Sequence, residues 1–339
     1  MSTGKLAVLG TGAAFPGELV ETEVLIAHVA SQFGLERQRE ARAIARRMAI
    51  DSRHFCRPFE TRHEVARAGQ SNPDLVAQAV QAALDDAGLT INDIGYLVGH
   101  TTTPVQPIPS NIALAADRLG YRGPHIELRQ ACTGFANALM IAFGLLAAPG
   151  AKPVVIVGSE TGSLWFDPAR AANDTAQLVN LMQMGDGAAA VVLGPAVGDG
   201  PLLHSAWFGA LGLDKPPGLS IRHGATEFEH DYAAILASGR MLFDAGAASA
   251  LRHGIALDSV DRVVPHQVNG RIGDHVARHF SIPVSRTFAN AGRIGNTGSA
   301  AIWLALAELR AGALAQGERV LVLGAEATKY MYGGFAYDH

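Results

Sequence analysis

Cys132 is the residue best suited to covalent chemistry, because it places a thiol at a predicted helix start. It lies between the strand-like HIELRQ and the apolar, helix-like GFANALMIAFGLL. The positive end of a helix dipole favours a thiolate, so the sequence predicts a lowered pKa and a nucleophilic Cys132. Gly134 allows a backbone or ligand to approach this turn closely. The structural alternative is a small buried residue that packs the junction.

Two further residues can act on a carbonyl group that a thiol attacks. His266 follows Pro265 at the end of the strand-like RVV, where an imidazole can act as a general base or donate a hydrogen bond to an oxyanion. Asn296 precedes a predicted helix, a position at which Asn commonly caps the first turn. A capping role holds the amide rigidly and is compatible with catalysis. Since the chain has 13 histidines, a surface or capping role is the alternative for His266.

An internal repeat relates the segments that carry these residues. Residues 89–100 resemble residues 255–266, so that His100 matches His266, and Gly158 and Glu160 match Gly324 and Glu326 at a separation of 166 residues. Between them, CTG at 132–134 resembles NTG at 296–298 with a slip of two residues. The pattern predicts a duplicated strand-helix-strand unit. Equivalent strand ends and helix starts, where α/β proteins bind ligands, therefore form one site.

Apolar periodicity predicts an α/β fold with buried strands. Continuous apolar runs, typical of strands covered by helices on both faces, predict strands at 6–9, 94–99, 126–128, 154–157, 188–193, 202–208, 262–264 and 320–323, and near Phe335. Helical spacing predicts helices at about 73–87, 109–119, 133–147, 231–253, 267–280 and 297–311.

Length favours two halves. At 339 residues the chain exceeds the usual size of one core, and we expect an N-terminal half at 1–194 with Cys132 and a C-terminal half at 195–339 with His266 and Asn296. The Arg- and Glu-rich stretch at 35–70 predicts an amphipathic or exposed, cap-like insertion. A Pro-, Gly- and His-rich connection at 209–230 is a second candidate cap.

Composition excludes several other classes of protein. A net charge of -4 and an isoelectric point near 6.3 provide no global basic field, which argues against nucleic acid as the main partner. The sequence has no signal-peptide pattern and no apolar run of membrane-spanning length. With two cysteines a disulfide framework is implausible, and we expect a cytoplasmic protein. The early GTGAAF lacks the full fingerprint of a dinucleotide-binding loop.

Three motifs together carry a family resemblance. ACTGF, VPHQVNGRI and GNTGSA, in this order and spacing, resemble the Cys-His-Asn motifs of β-ketoacyl-acyl-carrier-protein synthase III (KAS III) and its relatives in the thiolase superfamily. GTGAAFPG, AIDSRHF, LVGHTTTP and MGDGAAAVVLG extend the resemblance over essentially the whole chain.

The resemblance implies a thiolase-like fold with five layers, α-β-α-β-α, and a homodimer whose sheets are continuous. It implies that Cys132 accepts an acyl group from a thioester and that its backbone N–H contributes to an oxyanion hole. His266 and Asn296 would then orient a malonyl-type thioester and stabilise the enolate formed by decarboxylation, as expected for two neutral hydrogen-bond donors aimed at one oxygen.

The resemblance also implies how substrates bind. A phosphopantetheine arm, from coenzyme A (CoA) or an acyl carrier protein, would reach the cysteine through a tunnel, with no permanently bound cofactor and no metal. Arg47 and Arg271 are the candidates for binding it, and ordinary surface charge is the alternative for both. The helix with Arg271 and Arg278 is also suited to an acidic carrier protein.

Two departures from the family pattern affect substrate choice. Ala43 stands near the position of a tryptophan that stacks on the adenine of CoA, which favours a carrier-bound donor. The glycine-rich loop of the family, which supplies an oxyanion N–H, corresponds to GAEATKYMYGG, with Glu326 where a glycine is usual and Gly324 two residues before it. Glu326 and Gly324 are candidates for the oxyanion site, and Glu326 could also reshape the pocket or act as an acid or base. The favoured alternative for Glu326 is a structural role, either a salt bridge or a supporting contact behind the site, for example with Arg293 or Lys329.

Two other functions remain open from the sequence. An acyltransferase that moves an acyl group to an alcohol or amine needs only Cys132 and His266, while Asn296 favours condensation. A non-catalytic acyl-binding subunit is the other alternative, although all three site residues are present. A degradative thiolase would need a second cysteine in the C-terminal loop, and the flanking pattern of a papain-like hydrolase is missing.

Overall fold

Strands and helices alternate along the computed structural model, which describes residues 4–62, 64–196, 198, 200–221 and 228–339. The strands are β1 (Lys5–Ala14), β2 (Val20–Glu21), β3 (Ser52–Arg53), β4 (Tyr96–His100), β5 (His125–Leu128), β6 (Val154–Glu160), β7 (Gly187–Pro195), β8 (Leu202–Ala210), β9 (Leu219–Ser220), β10 (Glu229–His230), β11 (Arg262–Pro265), β12 (Arg319–Glu326) and β13 (Met331–Asp338). The helices are α1 (Thr22–Phe33), α2 (Gln38–Met48), α3 (Asn72–Ala87), α4 (Asn111–Leu119), α5 (Gly134–Leu146), α6 (Thr175–Gln183), α7 (Tyr232–Arg252), α8 (Ile272–Phe280), α9 (Ala291–Ile294) and α10 (Ala301–Arg310). Every strand predicted from the sequence is present.

The main sheet repeats one arrangement in two halves. Its order is β11-β12-β13-β8-β1-β7-β6-β4-β5, so that β5, β4, β6, β7 and β1 form one half and β11, β12, β13 and β8 the other. Each half contains parallel strands, β5, β4 and β6 at one end of the sheet and β11 with β12 at the other. The halves join where β1 pairs antiparallel with β8, in a short register from Lys5↔His204 to Ala7↔Leu202.

Alternating side chains of these strands separate the core into layers. In β12, Val320 and Val322 enter the cluster that contains α5 and α10, while Leu321 and Leu323 enter the cluster beneath the outer helices. Helix α5 contacts strands of both half-sheets, and α10 contacts β1, β6, β7 and β11. Helices α3 and α4 cover the outer face of the first half, and α7 and α8 cover that of the second. This packing gives the predicted five layers, α-β-α-β-α.

A separate apolar cluster lies outside these layers. It joins α1, α2 and α6 with aromatic residues such as Phe55, Phe59 and Phe166. The stretch 35–70 therefore contains the amphipathic helix α2, whose buried face belongs to a cluster that begins earlier, with α1. Leu178, Leu181 and Met182 of α6 are buried in the same cluster. Of the connection at 209–230, residues 222–227 lie outside the described residues.

Several helix boundaries differ from those predicted. Helix α8 begins at Ile272 rather than 267, because the Asn269 side chain accepts a hydrogen bond from the Arg271 N–H (2.9 Å) and forms a local turn. A 3-10 turn at Gly298–Ala300 precedes α10. Helices α1, α6 and α9 were not predicted from the sequence. The division into halves at residue 194 remains a proposal, and none of the described helices has the length and apolar composition needed to cross a membrane.

The central layer depends on aromatic packing, which a single substitution can test. Phe335 of β13 is fully buried and contacts Phe135 and Trp303 at ring-centroid distances of 5.6 and 5.9 Å. We expect Phe335→Ala to lower the free energy of unfolding by about 3–5 kcal/mol in urea denaturation, because it leaves a cavity. Leu251→Ala on α7, where the side chain is 64% exposed, should change it by less than about 0.5 kcal/mol. Similar losses for the two variants would contradict this layer assignment.

Candidate active site

Cys132 lies in a tight turn that leads into the buried helix α5. The carbonyl oxygen of Ala131 accepts a hydrogen bond from the Gly134 N–H (3.0 Å), and Thr133 is the N-cap of the helix. The Cys132 side chain is half-buried. The structure therefore confirms the position of Cys132 beside a helix N-terminus.

The predicted direction of the Cys132 pKa is wrong. Burial raises the pKa of the Cys132 thiol well above its ordinary value, and the carboxylates of Glu326 and Glu160 raise it further. Desolvation disfavours a thiolate, and a nearby negative charge does the same. These two effects exceed the helix dipole, so the resting thiol is protonated and its attack on a carbonyl requires a base.

His266 is a buried, neutral imidazole at the end of β11. Its backbone N–H donates to the carbonyl oxygen of Leu323 in β12 (2.8 Å), which fixes the residue at the ends of two parallel strands. Burial lowers the pKa of His266 to about 4, and Nδ1 has no hydrogen-bond partner among the described residues. A neutral imidazole can accept a proton at one ring nitrogen and donate one from the other.

The repeat partner of His266 has a different environment. His100 is buried in the central layer, and its Nε2 accepts a hydrogen bond from the indole Nε1–H of Trp303 (2.9 Å). The rings of His100 and Trp303 thus join the first half to α10. Because that nitrogen is used for packing, His100 is a structural counterpart of His266.

Asn296 is held by backbone hydrogen bonds on both sides. Its N–H donates to the Gln183 carbonyl oxygen (2.8 Å), and its carbonyl oxygen accepts from the Gly185 N–H (3.1 Å). The Asn296 Oδ1 accepts from the Gly298 N–H (3.0 Å), so the predicted capping contact is present one residue before the N-cap, Thr297. Because only Oδ1 takes part in this contact, the Asn296 Nδ2 group can serve as a hydrogen-bond donor to a substrate.

Gln183 joins the turn of Asn296 to the loop of His266. Its carbonyl oxygen binds the Asn296 N–H, and its side-chain Nε2 donates to the Val268 carbonyl oxygen (3.0 Å), two residues after His266. On the other side, the Ser299 hydroxyl lies 3.3 Å from the carbonyl oxygen of Gln130, two residues before Cys132. The three predicted residues therefore lie on three loops that touch one another: Gln183 hydrogen-bonds to the loops of Asn296 and His266, and the Ser299 hydroxyl, which donates its proton to Glu160, contacts the loop of Cys132.

Glu160 is a site residue that sequence reasoning did not assign. Its Oε2 accepts from the Ser299 N–H (3.0 Å) and hydroxyl (2.7 Å). Its Oε1 accepts from the Thr102 N–H (3.0 Å) and from the hydroxyls of Thr102 (2.8 Å) and Thr103 (2.6 Å). The repeat could have indicated Glu160 as a site residue, because it matches Glu326, which the sequence did mark as a candidate.

Glu326 is buried and binds hydroxyl groups. Its Oε2 accepts from the Thr133 N–H (2.9 Å) and hydroxyl (2.6 Å), and its Oε1 accepts from the Thr328 hydroxyl. The salt bridge considered with Arg293 or Lys329 is wrong, because Arg293 pairs with Glu308 and Lys329 donates to the Lys215 carbonyl oxygen. The carboxylate is therefore directed at the turn of Cys132.

The contacts of the two glutamates correct the register of the repeat. Thr133 and Ser299 are 166 residues apart, as are Glu160 and Glu326. Each glutamate accepts the N–H and hydroxyl of the residue from the opposite half. The likeness of CTG to NTG is thus a local coincidence: Thr133 corresponds to Ser299, and no slip is needed.

Known proteins match this chain in both sequence and fold. The family described as 3-oxoacyl-[acyl-carrier-protein (ACP)] synthase III matches residues 126–210, and its C-terminal part matches residues 251–335. A β-ketoacyl-[acyl-carrier-protein] synthase III of Oleidesulfovibrio alaskensis is 32% identical over 267 residues, covering 74% of this chain and 78% of the relative. The chain belongs to the synthase III family. Its activity is that of a ketosynthase-type condensing enzyme, an acyltransferase.

Solved structures agree with the thiolase-like fold predicted for this synthase. A structure titled "AbyA1 - tetronic acid condensing enzyme" has a TM-score of 0.87 and 26% identity, covering 98% of this chain and 100% of that one. The 3-oxoacyl-(acyl carrier protein) synthase III of Pseudomonas aeruginosa PAO1 has a TM-score of 0.80 and 27% identity, covering 98% of this chain and 97% of that one.

Arg47 and Arg271 lie together beside the loop that follows His266. The Arg271 guanidinium donates to the carbonyl oxygens of Arg47 (3.1 Å) and Arg46 (3.3 Å) at the C-terminal end of α2. The Gly270 N–H donates to the Met48 carbonyl oxygen (2.9 Å), which docks the helix on this loop. Arg271 thus has a capping role, while the exposed Arg47 has no side-chain partner within the described part of the chain.

The two remaining candidates have simpler environments. Ala43 lies on the exposed face of α2, with Arg39, Arg46 and Arg47. Gly324 lies inside β12, paired with Gly333, and a Cβ atom there would come within 2.6 Å of the Phe135 ring. The structure therefore gives Gly324 a packing role, and its role at an oxyanion site stays a prediction.

The raised pKa of Cys132 predicts slow alkylation at neutral pH. We expect its rate of reaction with iodoacetamide to keep rising above pH 9.0, the ordinary thiol value, because burial and two carboxylates oppose the thiolate. Peptide mapping by mass spectrometry separates Cys132 from the fully buried Cys56, and glutathione in the same buffers is the reference. A midpoint below about 8 would show that the helix dipole dominates.

Proposed function

We propose that this enzyme carries out a decarboxylating Claisen condensation with Cys132, His266 and Asn296 as its catalytic residues. The observation that carries the proposal is that the loops of all three meet at one site, through the hydrogen bonds of Gln183 and the 3.3 Å contact between the Ser299 hydroxyl and the Gln130 carbonyl oxygen. A half-buried thiol, a neutral buried imidazole and a rigid amide are the groups that acyl transfer followed by enolate formation requires.

In the first half-reaction an acyl group passes to Cys132. The sulfur attacks the thioester carbonyl, the new Sγ–C bond forms, and the C–S bond to the donor breaks. Because the resting thiol is protonated, neutral His266 accepts its proton and returns it to the departing thiolate. The backbone N–H of Cys132, in the turn before α5, stabilises the oxyanion.

In the second half-reaction a malonyl-type thioester supplies a carbon nucleophile. Its carbonyl oxygen accepts hydrogen bonds from His266 and the Asn296 amide, which stabilise the enolate as carbon dioxide leaves. The enolate carbon attacks the acyl carbonyl, the C–S bond to Cys132 breaks, and the thiolate regains a proton. Neutral donors suit this step, and each is typically worth about 3–4 kcal/mol.

We propose a carrier-bound donor rather than CoA. The exposed face of α2 bears Arg39, Arg46 and Arg47, and Arg271 joins them from the loop after His266. Such a surface attracts the phosphate of a phosphopantetheine arm and an acidic carrier domain. Ala43, in the middle of this face, offers no aromatic ring for an adenine base. The relatives are named as synthases of β-ketoacyl-[acyl-carrier-protein], a name that places the carrier protein on the product.

We also propose a cytoplasmic location. Both cysteines are free thiols, as is usual in a reducing compartment, and a catalytic thiol depends on staying reduced.

The catalytic roles predict separable losses in the two half-reactions. On intact-protein mass spectrometry, wild type should gain an acyl mass from a panel of carrier and CoA thioesters, and Cys132→Ala should not. Asn296→Ala should acylate normally but lose about 100–1000-fold in β-keto product formation from malonyl thioester. His266→Ala should slow both steps.

Other outcomes would identify the alternatives. Acyl transfer to an alcohol or amine, but never to a malonyl carbon, would indicate a simple acyltransferase. The absence of any Cys132-dependent adduct across the panel would indicate a non-catalytic acyl-binding subunit. Leu251→Ala, far from the site on α7, is the control for handling and should behave as wild type.

A second candidate is suggested by the likeness to AbyA1, titled a tetronic acid condensing enzyme. A tetronic acid is a cyclic enol lactone, so its formation needs a C–O bond as well as a C–C bond. The proposed site can catalyse both acyl transfers, because Cys132 and His266 serve oxygen and carbon nucleophiles alike. Incubation with a β-ketoacyl thioester and a hydroxyacyl thioester would reveal a cyclic product by mass.

We propose a homodimer formed through the edge of the sheet at β5. This four-residue strand ends the sheet order and has no partner on its outer side among the described residues. Ile126 in it is 38% exposed, and Met140 of the adjoining α5 is 51% exposed. An unpaired strand edge flanked by apolar side chains favours pairing with a second copy.

The dimer proposal predicts a change of mass in solution. Wild type should sediment at twice 35.5 kDa in analytical ultracentrifugation, and Ile126→Lys should shift towards 35.5 kDa, because a charge blocks edge pairing. Leu251→Lys, at a more exposed apolar position on α7, should leave the mass unchanged. A wild-type monomer, or an Ile126→Lys variant that remains dimeric, would contradict the proposal.

A further inference from the structure

Next to the catalytic loops, two buried carboxylates each make hydrogen bonds to a residue of the other half. We propose that Glu326 and Glu160 are positioning residues with separate duties: Glu326 aligns the Cys132 turn for acyl transfer to the thiol, and Glu160 aligns the Asn296 turn for condensation. The inference rests on the proposed roles of Cys132 and Asn296. It adds two residues that touch neither thioester and act through others.

The contacts of Glu326 constrain the residue that follows the nucleophile. Both Glu326 and Thr133 are buried, and Oε2 accepts from the Thr133 N–H and hydroxyl together. Thr328 holds the other carboxylate oxygen. Two bonds from one residue to one oxygen fix both the backbone and the side chain of Thr133, and hydrogen bonds to a charged acceptor are about twice as strong as neutral ones. The Cα of Cys132 is one residue away.

The contacts of Glu160 constrain the other turn in the same way. Its Oε2 accepts from the Ser299 N–H and hydroxyl, while Oε1 is anchored by Thr102 and Thr103. Gly298 has a φ of +50°, and a Cβ atom there would lie 2.6 Å from Glu160 Oε2. The carboxylate therefore packs directly against the turn that Asn296 begins, and the Asn296 Oδ1 binds the N–H of that same Gly298.

Burying the negative charges of Glu160 and Glu326 costs free energy, which argues that the two side chains do more than fill space. Within the described part of the chain neither carboxylate has an Arg or Lys partner in an ion pair, so hydroxyl and backbone donors alone offset their burial. Both carboxylates also disfavour the Cys132 thiolate. An amide keeps one acceptor oxygen and removes the charge, but its NH2 group cannot accept the bonds made to the second carboxylate oxygen. Variants of the hydroxyl partners therefore test the geometry, and amide variants test the charge.

The separate duties follow from where each turn leads. Thr133 caps α5, whereas Ser299 belongs to the 3-10 turn before α10, so loosening one leaves the other held by its own glutamate. Loss of the Glu326–Thr133 contact should therefore reduce acylation and spare decarboxylation by enzyme that is already acylated. Loss of the Glu160–Ser299 contact should do the reverse.

Matched hydroxyl variants provide the test of geometry. Thr133→Val and Ser299→Ala remove one bond each to a carboxylate, and Thr133→Ser and Ser299→Thr restore it. Single-turnover acylation and β-keto product formation from pre-acylated enzyme are measured for each. We expect Thr133→Val to slow acylation about tenfold or more and Ser299→Ala to slow product formation by a similar factor, with rescue by each conservative variant.

A control variant and an electrostatic measurement complete the design. Thr90 donates its N–H and hydroxyl to one oxygen of Asp93 (2.8 and 2.7 Å) far from the site, so Thr90→Val repeats the chemistry of the change and should alter neither rate. Glu326→Gln and Glu160→Gln keep an acceptor and remove the charge. Both should move the pH midpoint of Cys132 alkylation downward, Glu326→Gln by more, because each removes a negative charge near the thiol. This measurement reports the charge, and rescue by the hydroxyl variants reports the positioning.

Clear results would overturn the inference. If Thr133→Val and Ser299→Ala slow both half-reactions to the same extent, or if the conservative variants fail to restore the rates, the glutamates only support the fold. Thermal melting of every variant identifies losses caused by unfolding. If wild type forms no acyl-Cys132 at all, the proposed function fails instead, and the alkylation midpoints still report the electrostatic part.

Discussion

The turns beside Cys132 and Asn296 depend on hydrogen bonds that two buried carboxylates make between the two halves of the chain. The turn of Cys132 belongs to the first half and is held by Glu326 of the second, while the turn that follows Asn296 belongs to the second half and is held by Glu160 of the first. Each turn begins a helix of the central layer, so a shift of either half relative to the other would break a buried charged contact. Such contacts are expensive to leave unmade. The duplication therefore produces one site that needs both halves.

The position of the Glu326 carboxylate also affects the protonation of the Cys132 thiol. A carboxylate close enough to hold the Cys132 turn also opposes formation of the thiolate, and burial acts in the same direction. The helix N-terminus is too weak to reverse these effects, since a dipole contributes at most about 2 kcal/mol. The thiol must therefore lose its proton during attack. A histidine whose pKa burial lowers to about 4 is neutral across the physiological range, so one of its ring nitrogens has a lone pair that can accept a proton.

The layers explain why one histidine of the repeat is available for chemistry and the other is not. His100 and His266 end equivalent strands, but Trp303 of α10 donates to the Nε2 of His100. The position that matches Trp303 in the first half is Asn137 of α5, which bonds to Gln130 instead. A large aromatic side chain on one central helix, and a small polar one on the other, thus makes the two halves unequal. The catalytic asymmetry arises from this difference in packing.

Sequence alone determined the strands, the repeat and the chemical types of the site. The apolar pattern located all nine strands of the main sheet, and several of them, such as the predicted strand at 154–157, are continuous apolar runs because both faces of the strand are buried. The order of Cys132, His266 and Asn296 within their motifs indicated the family, which the relatives confirm. Sequence was less informative for α1, α2 and α6, whose apolar side chains pack in a small cluster outside the layers, together with Phe55, Phe59 and Phe166.

Only the tertiary structure decided the electrostatics and the partners of the site. The pKa of Cys132 depends on desolvation and on carboxylates that are 28 and 194 residues away in the sequence, so no local pattern could give its direction. Glu326 looked like a candidate for a salt bridge with Lys329, three residues away, yet it turns inward to Thr133 of the other half. The register of the repeat, in which Thr133 matches Ser299, follows from the hydrogen bonds of the two glutamates, whereas the sequence motifs alone suggested a different register. Residue types are local properties of a chain, whereas charge, burial and hydrogen-bond partners exist only once distant segments have packed together.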